Sequence, residues 1–110
     1  MGRFITETGT ASTVIREVNS AYNAVVNDRI LADSSGAAFT ITLPAVAGLL
    51  VNDTIQIIDI AGSFATNNVT LGRNGANIQG AADDLDLDLN GATITIMYSG
   101  PTYGWIIIGT

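Results

Sequence analysis

From Asp28 onward, short runs in which apolar side chains alternate with threonine or a charged residue are separated by turn-forming residues, the pattern of an all-β domain. Arg29-Ile30-Leu31-Ala32 ends at the turn cluster Asp33-Ser34-Ser35-Gly36. Phe39-Thr40-Ile41-Thr42-Leu43 alternates cleanly and stops at Pro44, which has no N–H to give to a ladder. Asn52-Asp53 turns the chain into Thr54-Ile55-Gln56-Ile57-Ile58-Asp59-Ile60, where the extra apolar residue Ile58 breaks the alternation and predicts a bulge. A loop anchored by Phe64 leads to Val69-Thr70-Leu71 and then to Asn74-Gly75, a hairpin signal because both residues tolerate positive φ.

Leu85-Asp86-Leu87-Asp88-Leu89 and Thr93-Ile94-Thr95-Ile96-Met97-Tyr98 flank a second Asn-Gly at Asn90-Gly91, which predicts a β-hairpin with the leucines and isoleucines on one face. Trp105-Ile106-Ile107-Ile108 is apolar at every position and reads as a strand buried on both faces. Residues 1–27 have a different texture. Val14, Ile15, Val18 and Tyr22 lie at roughly helical spacing, whereas the β-branched Thr13-Val14-Ile15 opposes a helix, so a short helix and an extended arm both stand. The expected organisation is an N-terminal attachment segment, 1–27, and a β-domain, 28–110. The β-domain is expected to be an antiparallel β-sandwich or barrel of about seven or eight strands.

Composition narrows the chemistry. The 110 residues make one domain by length, and a chain of this size buries only about two-thirds of its unfolded surface. It has no cysteine and no histidine, and its four basic residues are the arginines Arg3, Arg16, Arg29 and Arg73. Disulfides, thiolate nucleophiles, imidazole bases, ordinary zinc sites and lysine Schiff bases are therefore closed to it. Hydrophobic residues make up 47% and charged residues 13%, against roughly 25% charged in an average domain, so apolar surface is expected to be shared between identical subunits. The net charge of −6 opposes nucleic-acid binding. No apolar run approaches the ~20 residues of a spanning helix, and the first residues lack the basic-then-apolar order of a signal peptide. The chain is thus expected to begin at Met1 in a cytoplasm.

Residues 28–105, roughly 70% of the chain, resemble a module of virion proteins in tailed bacteriophages, found in fibre proteins and in small capsid-associated proteins. The likeness is carried by Arg29-Ile30-Leu31-Ala32-Asp33, by Thr40-Ile41-Thr42-Leu43-Pro44, and most distinctively by Asn67-Asn68-Val69-Thr70-Leu71-Gly72-Arg73-Asn74-Gly75-Ala76-Asn77-Ile78-Gln79-Gly80. Tyr98 and Gly104-Trp105 close the pattern. The resemblance implies a homotrimeric β-structured virion component. Because the module stands almost alone behind a short N-terminal segment, a capsid decoration, or cement, protein on the major capsid protein is the leading expectation. A short head or tail fibre that binds a host receptor is the alternative.

Several residue groups invite sharper readings. Alternation places Asp84, Asp86 and Asp88 on one strand face, where they point in parallel rather than converge as a calcium site requires, so a solvated, self-repelling face is the preferred reading. Asp86 and Asp88 have the residue types of a glycosidase pair, but aromatics to line a sugar cleft are few, so no enzyme activity and no cofactor are expected. Arg73 at a hairpin tip is expected to pair with Asp59 or Asp83, and Trp105 to be core. Three of the four arginines fall in the first 29 residues, which makes the N-terminal segment the expected docking element. Arg3 and Arg16 would supply charge there, and Phe4, Ile5, Val14 and Ile15 apolar anchors. For the receptor-binding alternative, the loops 63–68 and 100–103 are expected to carry exposed polar and aromatic residues.

Overall fold

A computed structural model describes residues 13–110. Among them are nine strands and one short 3-10 turn, Val46–Gly48: β1 Val14–Val18, β2 Tyr22–Asn23, β3 Asp28–Ala32, β4 Phe39–Thr42, β5 Thr54–Asp59, β6 Val69–Gly72, β7 Leu85–Leu87, β8 Thr93–Tyr98 and β9 Trp105–Gly109. They form two open sheets, ordered β1-β3-β5-β8-β9 and β2-β4-β6-β7, and neither sheet closes into a barrel. The fold is all-β, as the alternation predicts.

The pairing is mixed rather than antiparallel. β1, β3 and β5 run parallel in the first sheet, β2, β4 and β6 run parallel in the second, and antiparallel pairing enters only with β7, β8 and β9. The chain winds from one sheet to the other and back, so β1–β2, β3–β4 and β5–β6 are three successive coils stacked along the hydrogen-bonding direction. Parallel strands need crossovers longer than a tight turn, and here the opposite sheet is the crossover. Two margins result. Residues 24–27, 43–53, 73–84 and 99–104 gather where β1, β3 and β5 begin, and residues 19–21, 33–38, 60–68 and 88–92 gather where they end.

Val14–Val18, for which a helix and an arm both stood, is an extended strand paired with β3, and Tyr22–Asn23 pairs with β4. Residues 14–23 thus form the first coil, continuous with the rest of the β structure. β-Branched side chains at Val14, Ile15 and Val18 favour this over a helix.

The expected β7–β8 hairpin does not form. Asn90-Gly91 makes its turn, with Gly91 at φ 74°, but the turn carries the chain between sheets: Leu85 and Leu87 pair with Leu71 and Val69, while Ile94 and Ile96 pair with Ile57 and Ile55. The leucines and isoleucines then face one another across the interior. The bulge is also displaced. β5 pairs with β8 without interruption through Ile58, and the register shift lies between Thr95 and Ile96 against β9.

One core fills the space between the inner faces. Ile30, Ile55, Ile57, Ile94, Ile96 and Trp105 come from the first sheet, and Ile41, Val69, Leu71 and Leu87 from the second. Each buried aliphatic contributes about 1.5–3 kcal/mol of transfer free energy. Trp105 is fully buried and meets Tyr98 edge to face at 5.7 Å. Trp105–Gly109 is not buried on both faces as expected: it is an edge strand, with Ile106 and Ile107 half-buried and Ile108 exposed.

Candidate functional site

Of the expected docking residues, Arg3, Phe4 and Ile5 lie outside the described residues. Val14, Ile15 and Arg16 stand on β1, an edge strand with no neighbour on its outer side among the described residues. Register divides them. Val14 and Arg16 align with Asp28 and Ile30 on the inner side, whereas Ile15 aligns with the exposed Arg29 and points outward. Arg16 is engaged within the chain, its Nε 3.7 Å from Asp28 Oδ1.

Asp28 is a buried carboxylate that sequence reading missed, since it looks like an ordinary turn residue. Its Oδ2 accepts hydrogen bonds from the Tyr22 hydroxyl (2.7 Å) and the Val25 N–H (2.8 Å), which ties the first coil to the second. Burial foremost, and then the hydrogen bond to Asp28 and its charge, push the Tyr22 hydroxyl above its ordinary value of 10.0.

Asp59 does comparable work at the other margin. Its carboxylate accepts the N–H groups of Ser63 (3.1 Å), Phe64 (3.1 Å) and Gly91 (2.9 Å), so it pins two crossovers together. Burial alone would raise its pKa, but the backbone donors of Gly91, Ser63, Phe64 and Gly62 outweigh it and hold the carboxyl below the usual range.

Arg73 therefore does not pair with Asp59, nor with Asp83. Its Nη1 donates to the Ala76 carbonyl (2.9 Å), and its backbone N–H donates to Asp84 Oδ1 (2.9 Å). Asp86 accepts the Thr70 hydroxyl at 2.8 Å. Among the described residues, no three acidic groups lie close enough to hold a metal ion.

The two outer sheet faces differ sharply. Pairing rows on the second sheet read Asn23-Thr42-Gly72 and Thr40-Thr70-Asp86, without an aliphatic side chain. Rows on the first sheet read Glu17-Leu31-Ile58-Thr93, Ile15-Arg29-Gln56-Thr95 and Thr54-Met97, with Ile106 beside Met97. Ile58, which broke the alternation in the sequence, is a member of this outer apolar set. Leu31 and Ile106 belong to it for the same reason, and runs of consecutive apolar residues were the signal that could have revealed it.

The loops 63–68 and 100–103 occupy opposite margins, separated by the length of a six-residue strand, roughly 20 Å. Phe64 is buried in the first and Tyr103 is 64% exposed in the second. No family model matches the chain, and no curated protein matches it.

Proposed function

We propose that the chain is a structural, non-enzymatic component of a tailed bacteriophage particle: a homotrimeric decoration protein, each subunit a two-layer β-sandwich, that binds the major capsid protein and reinforces the shell of the virion. The observation that carries this reading is where the phage-like residues fall. Asn74 and Gly75 turn at φ 49° and 91°, Asn74 Nδ2 donates to the Leu43 carbonyl, Arg73 closes on Ala76, Ile78 is buried, and Asn77 accepts the Trp105 N–H. These residues shape one connection and, through Asn74 and Asn77, join it to Leu43 and Trp105 at one margin, the use expected of a building block.

Docking would rest on the N-terminal segment, which enters the fold directly at the edge strand β1. Three such segments on one body reinforce contacts that are weak singly, because each binding event raises the effective concentration of the next. The particle would be assembled in the bacterial cytoplasm.

The fibre reading draws on a different feature. The stack of coils ends in unpaired strands on both sides, β1 and β2 at one end and β7 and β9 at the other, among the described residues. Ends of that kind suit head-to-tail repetition in a filament. The loops 63–68 and 100–103 stand too far apart to form a single receptor surface on one subunit, which favours decoration.

Copy number decides between them. Quantitative mass spectrometry of purified particles should give a ratio to the major capsid protein of about one or about one third, as expected of a protein that follows shell symmetry. A handful of copies per particle would overturn decoration and move the chain to the tail or a unique vertex.

A further inference from the structure

We propose that copies of this chain associate through the outer face of the five-stranded sheet, with Arg29 of one protomer paired to Glu17 of the next. The inference rests on the reading that the chain is an oligomer, and it assigns the surface.

The first argument is the contrast between faces. On the first sheet, Ile15, Leu31, Ile58, Met97 and Ile106 share the outer surface, the last four half-buried among their neighbours on the sheet. Ile15 is 61% exposed. Thr54, Gln56, Thr93 and Thr95 fill the positions between, and Gln56 Nε2 already donates to Thr95 Oγ1 at 3.1 Å, so this polar pair enters a contact largely satisfied. An apolar centre with few charges is the composition of a homomeric interface core. The second sheet instead presents threonine, asparagine and aspartate.

The second argument is charge, and it identifies the occupant. The chain carries −6 overall, so two copies repel through most of their surfaces. The paired rows on the outer face of the first sheet hold one acid, Glu17, and one base, Arg29, with Asp33 at the margin near Glu17. The two sit on adjacent strands, Glu17 opposite Leu31 and Ile15 opposite Arg29, and they form no ion pair with each other or with another described residue. A second copy presents the same two charges and can satisfy both. The second sheet, flanked by the exposed Asp84, Asp86 and Asp88, would bring like charges together.

The test uses the full chain and measures mass by analytical ultracentrifugation across a concentration series. Wild type should sediment at about three times the 11.4 kDa of one chain. Glu17→Arg and Arg29→Glu should each weaken association by about tenfold or more, and the double variant should recover most of the loss, because reversing both charges restores the pair. Ile58→Asp should give a single-chain mass, while Thr40→Asp, an equivalent change on the second sheet, should leave the mass unchanged. Fluorescence of the buried Trp105 checks that each variant is folded, and the recovery in the double variant cannot arise from unfolding.

A wild-type oligomer that ignores Ile58→Asp and both reversals overturns the assigned face and leaves the oligomeric reading standing. A single-chain mass for wild type at all concentrations overturns both.

Discussion

The Tyr22 hydroxyl donates to the Asp28 carboxylate at 2.7 Å and so joins the inner side of the first coil to the start of the second. Neither residue belongs to the expected docking set, yet Asp28 also pairs with Val14 in the β1–β3 ladder and faces Arg16 at 3.7 Å, so the bond adds to the ladder that holds the edge strand. Tyr22→Phe keeps the ring and removes the bond, so it should cost about 1.5–3 kcal/mol, the range for hydrogen bonds to charged groups. Urea unfolding should show a lower midpoint with an unchanged slope.

The same pair predicts an alkaline limb. The folded-state pKa of Tyr22 is raised, so its stabilising contribution is fully present below pH 10.0 and is lost as pH rises through the folded value. The stability difference between wild type and Tyr22→Phe should hold constant up to pH 10.0 and shrink above it. A difference that stays flat through the alkaline range would show that the bond does not couple to folding.

Asp59 predicts an acid limb of opposite sign. Its folded-state pKa is lowered, so its contribution is present above the ordinary aspartate value of about 3.9 and disappears as pH falls through the folded one. Asp59→Asn sets an amide N–H₂ against backbone donors and should cost about 3 kcal/mol or more near neutrality. Chemical denaturation at pH 7 and pH 3 should show the gap between the two proteins narrowing at the lower pH.

Gly104 allows no side chain. Its φ is 68°, and a Cβ built there runs into the main chain of Asn77, whose carbonyl accepts the N–H of Trp105. Gly104→Ala should lose about 3 kcal/mol or more through strain and overpacking together. Gly91→Ala, at φ 74° in open space, should lose only the smaller conformational part. Thermal melts of the two variants provide the comparison.

Deleting residues 1–12 should abolish binding to the particle and leave the oligomer intact, as judged by co-sedimentation with undecorated particles and by ultracentrifugation of the free protein. Undiminished binding would refute docking through the N-terminal segment.

From β3 onward the strands were legible in the sequence because alternation reports which side of each is buried, and Ile55 and Ile57, Ile94 and Ile96, Ile41, Leu71 and the expected Trp105 all reach the core, whereas β1 and β2 were not read as strands. Their partners were not legible. Equivalent positions are 14 residues apart between β1 and β3 (Val14 and Asp28) but 27 apart between β3 and β5 (Arg29 and Gln56), so the winding leaves no fixed period. Asn90-Gly91 specifies a local turn and is silent about which sheet receives the chain afterwards. Ile58 misled for a physical reason, since an apolar residue at an outward position reads as a defect in one strand until Leu31 and Ile106 are seen beside it. Asp28 and Asp59 were opaque because a carboxylate that gathers backbone N–H groups has the same sequence appearance as one in a solvated turn.

The three parallel coils give this protein a length that can change in whole steps. An inserted copy of one complete winding, from the start of β3 to the residue before β5, would extend both layers together by one strand spacing, about 4.8 Å, while preserving the cross-section and the closing strands. The molecule therefore behaves as a ruler whose divisions are coils, and a lineage that needed a taller body could obtain one by tandem duplication without designing a new core.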